Sequence, residues 1–210
     1  MQGLLSIAVK QDLKTVAPGA DEARRDRIVE GAIKVFLAYG FQRTTMDDIA
    51  RAADLSRPAL YLDFKNKGDI YRAIAARKFA ESTRALEQAL AGGGDIEARL
   101  MDGLDKSLFS MMRVFFEAPH GAEILDAKNS LAADEMAAWR DRFLAIVAAA
   151  LAAEAAARAV DLGARGFSPE TLAALLLDGI EGMKARAAGP QEWEPAARRL
   201  VRLVGLALQP

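Results

Sequence analysis

The stretch TTMDDIARAADLSRPALYLDFKNK, residues 44–67, constrains the fold more than any other part of the chain, because it divides into two short helices separated by a three-residue turn. Thr45 caps the first helix, with Asp48 three residues on as an approximate capping box, and Ile49, Ala50 and Ala53 form a buried stripe. Asp54, Leu55 and Ser56 make the turn. Ser56 caps the second helix, Arg57 and Pro58 fall in its first turn where a missing N–H costs little, and Leu60 and Phe64 share its inner face. At about 100° per residue, Pro58 and Leu62 point away from Leu60, with Ala59 and Tyr61 flanking and Arg57 at the edge. This is a helix-turn-helix pattern, and in that arrangement the outward face of the second helix enters the major groove of DNA. Arg57 can donate two hydrogen bonds to a guanine edge, whereas Pro58, Ala59 and Leu62 offer apolar contacts such as those to a thymine methyl.

Breakers and apolar spacing divide the rest into helices. A first helix is expected from about Asp21 to Tyr39, stopped by Gly40, with Val29, Ile33 and Phe36 on its inner side. Lys67 to Ala91 reads as a long helix, ended by Gly92, Gly93 and Gly94. That triple glycine lies between helical patterns, which favours a linker over a phosphate loop. Further helices are expected over 95–117, 121–128, 132–160, 168–188 and 192–208. Nothing alternates with the period of a strand for long enough to make a sheet, so the fold class is all-α. The expected organisation is a disordered tail over 1–20, a helix-turn-helix domain over 21–67 and a larger helical domain over 68–210. The tail carries Lys10 and Lys14 against Asp12, thin support for a basic arm that reaches DNA.

Composition excludes several function classes. With no cysteine and one histidine, the chain lacks a thiol nucleophile, a disulfide framework and the usual zinc donors. No serine, histidine and aspartate set, metal-ligand spacing or phosphate loop points to an enzyme, and no cofactor is expected. The longest apolar run, Phe143 to Ala153, is too short to span a bilayer, and the leading residues lack a secretory signal, so a cytoplasmic protein is expected. Net charge is −1, and residues 21–70 hold nine Lys and Arg against nine Asp and Glu. Phosphate affinity depends on local surface, and Arg43, Arg57, Lys65 and Lys67 bracket the second helix; non-specific binding to DNA should nonetheless be weak.

The segment IVEGAIKVFLAYGFQRTTMDDIARAADLSRPALYLDFKNKGDIYRAI, residues 28–74, resembles the DNA-binding domain of the TetR family of bacterial transcriptional regulators. The resemblance rests on an apolar helix ending in an aromatic-Gly-aromatic segment, the Thr44-Thr45 start, the Ile49-Ala50 pair, and the Leu60-Tyr61-x-x-Phe64-x-x-Lys67 close. It implies a dimeric regulator of operator DNA, by default a repressor, released by a small effector bound in the C-terminal domain. It implies too that Thr45, Tyr61 and Lys67 hold phosphates, within a DNA-binding set of Thr44, Thr45, Ser56, Arg57, Pro58, Ala59, Tyr61, Leu62, Lys65 and Lys67. Two residues depart from the family pattern. Asp54 stands where glycine is usual, at a left-handed position that aspartate tolerates. Asp63 brings a carboxylate close to phosphates, which it should repel unless it orients Arg57 or Lys67.

Leu172, Leu175, Leu176 and Met183 on one late helix, and Leu200, Leu203, Val204 and Leu208 on the next, give two strongly apolar faces. The resemblance implies that such helices from two subunits form a four-helix dimer interface. Gly179 and Gly182 would permit close approach there, or else are tolerated core positions. Met111, Met112, Phe115, Phe116, His120, Met136, Trp139 and Phe143 concentrate thioether and aromatic side chains on two helices expected to face each other. These suit a pocket for an apolar or aromatic effector, and would serve equally as ordinary core. His120, at a helix break after Pro119, also reads as a surface or capping residue. The competing function is a dimeric helical interaction protein of the same fold without specific DNA binding.

Overall fold

The computed structural model describes residues 19–187 and 189–210, with the side chains of 127–129 left out. Among these residues there are ten α-helices and no strand. Residues 1–18 of the expected tail lie outside the described residues, and Ala20 already belongs to the first helix.

Helix α1 (Ala20–Tyr39) buries Ile28, Val29, Ala32, Val35 and Phe36, one face of a 3.6-residue repeat. Gly40 ends it at φ 82°, a left-handed conformation open to glycine, and its N–H bonds back to Phe36. Helix α2 (Met46–Ala52) crosses α1 where Gly31 lacks a side chain; a Cβ there would lie 2.9 Å from the Ala53 nitrogen. Helix α3 (Arg57–Asp63) follows a turn in which Asp54 takes φ 54°.

Helix α4 (Lys67–Leu90) has 24 residues, about 36 Å at 1.5 Å per residue. It packs against both the first helix and the later ones. Its first turns bury Ile70 and Tyr71 beside α1, and its later turns bury Phe79, Ser82 and Leu86 against α5 and α8. Helices α5 (Ile96–Leu104) and α6 (Ser110–Glu117) are one continuous rod interrupted by a π-helical turn, Asp105–Phe109. Helices α7 (Gly121–Leu131), α8 (Ala133–Ala157), α9 (Pro169–Arg186) and α10 (Trp193–Ala207) complete the order. A single hydrophobic core runs from Ile28 through α4 to Leu208.

The expected facing of the two aromatic and methionine stripes is corrected by this packing. Trp139 and Phe143 on α8 lie against α4, Trp139 being stacked on Phe79 at 5.7 Å and donating from Nε1 to Ser82 Oγ at 3.1 Å. Met136 packs on the core beside them. Phe116 is mostly exposed and meets Trp193 edge-on.

Candidate nucleic-acid interface and effector cavity

The two short helices are set by their caps. The Thr45 Oγ1 accepts from the Asp48 N–H at 3.2 Å while the Asp48 carboxylate accepts from the Thr45 N–H at 2.9 Å, a complete capping box. The Thr45 hydroxyl and backbone N–H, helped by Arg51, hold the Asp48 pKa below its ordinary value. Ser56 Oγ accepts from the Ala59 N–H, which starts α3 at Arg57. Leu60 is 0% exposed and anchors α3 from within, while Leu62 is 79% exposed on the opposite side. Arg57, Pro58 and Tyr61 share that outward face, Ala59 is half-buried, and Ser56 and Lys65 stand exposed at the two ends.

Three charges of this region have partners within the protein. The Arg57 guanidinium sits 3.3 Å from each oxygen of Asp47 and over the Tyr61 ring. Lys67 Nζ donates to the carbonyls of Phe41, Gln42 and Thr44 at 2.8, 2.9 and 3.1 Å, closing the loop after α1. Asp63 is bound by Arg24 Nε at 2.6 Å, not by Arg57 or Lys67, so its charge ties the end of α3 to the start of α1. Asp63 in turn raises the Arg24 pKa. Thr44 is only 2% exposed and its hydroxyl donates to Gly40 O at 2.6 Å, which turns that side chain away from any outside phosphate. Thr45 remains exposed.

The profile described as "Bacterial regulatory proteins, tetR family" matches residues 28–74, which hold most of α1, all of α2 and α3, and the first turns of α4. Over this stretch the chain is similar to the TetR family. The HTH-type transcriptional regulator SrpR of Pseudomonas putida is 39% identical to it over 57 residues, 27% of each chain. The negative regulator of the biofilm operon icaADBC, IcaR of Staphylococcus epidermidis, is 38% identical over 48 residues, 23% of this chain and 26% of that one. The chain thus matches about a quarter of the length of these relatives. Among solved structures, the TetR-family regulator PfmR of Thermus thermophilus superimposes with a TM-score of 0.60 at 26% identity, over 85% of this chain and 97% of that one.

A cavity of about 540 Å³ lies between α1, α4, the π-helical turn, α6 and α7. Of the eight residues expected at an effector site, Met111, Met112 and Phe115 line it. Phe116, His120, Met136, Trp139 and Phe143 do not, although Trp139 touches the wall through Phe79 and Ser82. Sequence reasoning missed the opposite wall, Ile33, Phe36 and Leu37 of α1 and Tyr71, Ile74 and Ala75 of α4. Helical spacing marked Ile33 and Phe36 only as inner-face residues and singled out none of the other four. His120 is instead a clasp between the two regions: the Arg43 guanidinium donates to its ring, with Nη2 2.8 Å from Nε2. Beside it Glu123 accepts from the Gln42 N–H at 2.7 Å and the Tyr71 hydroxyl donates to Ile124 O at 2.6 Å.

The expected dimer face is redistributed as well. Leu172, Leu176, Met183 and Val204 are buried within one chain. Gly179 faces Leu200 of the same chain, where a Cβ would lie 3.0 Å from both Leu200 methyls, so its close approach joins α9 to α10. Leu175, Leu203 and Leu206 are 54%, 64% and 45% exposed. Among the described residues no helix is long and apolar enough to cross a membrane, and no cluster of three or more His, Asp or Glu could hold a metal ion.

Proposed function

We propose that this protein is a ligand-responsive, DNA-binding transcriptional regulator that acts as a cytoplasmic homodimer, represses from a palindromic operator and releases it when a small apolar effector binds. It has no catalytic role. Residues 21–67 read DNA, and residues 68–210 receive the effector and pair the copies. The observation that carries this reading is the outward face of α3, where Arg57, Pro58, Tyr61 and Leu62 stand in solvent while Leu60 is fully inside. A helix so exposed, capped and anchored fits a major groove. Leu175, Leu203 and Leu206 supply the remaining apolar face for a second copy, which sets two reading helices at half-site spacing.

Effector coupling follows from position. The cavity has α1 on one side and the middle of α4 on another, so occupancy acts on the helices that orient the reading domain. A ligand shifts DNA binding only by its preference for the released arrangement.

The second reading, a dimeric interaction protein of this fold without specific DNA binding, draws on the cations around α3, since Arg24, Arg51, Arg57 and Lys67 all have partners within the protein. Binding of purified protein to the DNA flanking its own coding region, at moderate salt and against random DNA, separates the two. A sequence-specific complex supports the regulator. Equal affinity for random DNA rejects it.

A further inference from the structure

The cavity contains a polar group that the fold itself does not use. Ser107 is 1% exposed, lines the cavity, and its Oγ has no hydrogen-bond partner among the described residues. Helical serines commonly bond the carbonyl one turn back, as Ser110 does with Lys106 O at 2.9 Å. Ser107 sits inside the π-helical turn Asp105–Phe109, a local widening of the ladder that recurs at functional positions. Ser82 of α4 also lines the cavity, and its hydroxyl accepts from Trp139 Nε1, which leaves its own O–H to donate. Two hydroxyls from different helices thus offer protons to one apolar space. A buried donor without an acceptor is costly, and an acceptor arriving with a ligand removes that cost.

Charge decides what kind of acceptor. Lys78 and Lys106 line the cavity, but Lys78 is paired with Glu81 at 2.8 Å and Lys106 with Asp102 at 2.7 Å. Glu30 is paired with Arg77 at 2.7 Å. Among the described residues no lining cation is left for an anion, and an uncompensated buried carboxylate is strongly disfavoured. We propose that the cavity binds a neutral, largely apolar molecule whose carbonyl oxygen accepts a hydrogen bond from Ser107 Oγ, with Ser82 as a second donor. A volume of about 540 Å³ suits a ligand the size of a substituted bicyclic aromatic. This assignment rests on the regulator reading above and gives its effector a chemical class.

Three matched probes test it on the full chain: acetylnaphthalene, ethylnaphthalene and naphthoate, substituted at the same ring carbon, measured by equilibrium dialysis. Ser107→Ala is expected to weaken the ketone roughly 2- to 10-fold, the size of one net hydrogen bond, and to leave the hydrocarbon unchanged. Naphthoate is expected to bind more weakly than the ketone. On the unsubstituted protein, infrared spectra of isotope-labelled acetylnaphthalene should show its carbonyl band moving to lower frequency on binding, a readout independent of whether the variant folds. Equal losses for ketone and hydrocarbon, an unmoved carbonyl band, tighter binding of naphthoate, or no binding by any probe would each overturn the assignment. Operator release is scored separately. A Ser107-dependent ketone that leaves DNA binding intact upholds the site and removes the regulator reading, whereas release of DNA without Ser107 dependence does the opposite.

Discussion

At the scale of single residues, Arg57 stands between two partners. It is held by Asp47 in the free protein, so reading a guanine requires it to exchange one pair of acceptors for another. Arg57→Ala is expected to cost about 1 to 3 kcal/mol of operator binding and to relax preference at one base pair per half-site, measured by binding to a panel of single-base operator variants. Lys67 carries a different expectation from the one its charge suggested. Because Nζ closes the loop carbonyls of Phe41, Gln42 and Thr44, Lys67→Met should lower folding stability by about 2 kcal/mol, read in urea unfolding, with little change in the salt slope of DNA binding. Tyr71 adds a pH dependence. Burial pushes its phenol well above the ordinary value of 10.0, so the folded state keeps a proton that the unfolded chain releases. Its contribution is intact below about pH 10 and is lost as pH rises beyond that. Tyr71→Phe should flatten this alkaline limb in a pH series of thermal melts, while costing about 1 kcal/mol at neutral pH for the lost bond to Ile124 O. Caps such as Thr45 and Ser56 were legible in the sequence because a cap acts within three residues. The partners of Lys67 and Asp63 were not, since they come from residues 23 to 39 positions away.

At the scale of elements, the helices were legible because apolar spacing and breakers are local signals, and most expected ends agree with those observed to within a few residues. Which face of a helix meets which neighbour was not. The α9 and α10 stripes are apolar enough to serve a core or a partner, and only burial divides them into Leu172, Leu176 and Val204 inside and Leu175 and Leu203 outside. That division sharpens the dimer test. Leu175→Glu with Leu203→Glu should give folded monomers in sedimentation that bind a full palindrome no better than a half-site. Leu176→Glu should instead unfold the chain, because it places an unpaired charge in the core. A double variant that still sediments as a dimer would move the interface elsewhere. The cavity was half legible: the α6 side announced itself as Met111, Met112 and Phe115, whereas the α1 side consists of ordinary core aliphatics that acquire meaning only where the packing leaves a gap.

At the scale of the whole molecule, one core runs from α1 through α4 to α10, so in the proposed function effector and operator should communicate. Linkage requires that operator DNA weaken effector binding by the same factor by which the effector weakens operator binding. Comparing the two titrations checks this, and unequal factors would rule out a two-site equilibrium. Trp139 gives the signal, since Phe79 and Ser82 lie between its indole and the cavity. The ion pairs around α2 and α3 bear on how the protein would search for its site. A surface whose guanidinium groups are already engaged by its own carboxylates adheres poorly to arbitrary sequence, and such adhesion is what lets a protein slide along a duplex. In the proposed role, this regulator would find its site chiefly by repeated collisions from solution, and little of its cellular population would be sequestered on the rest of the chromosome.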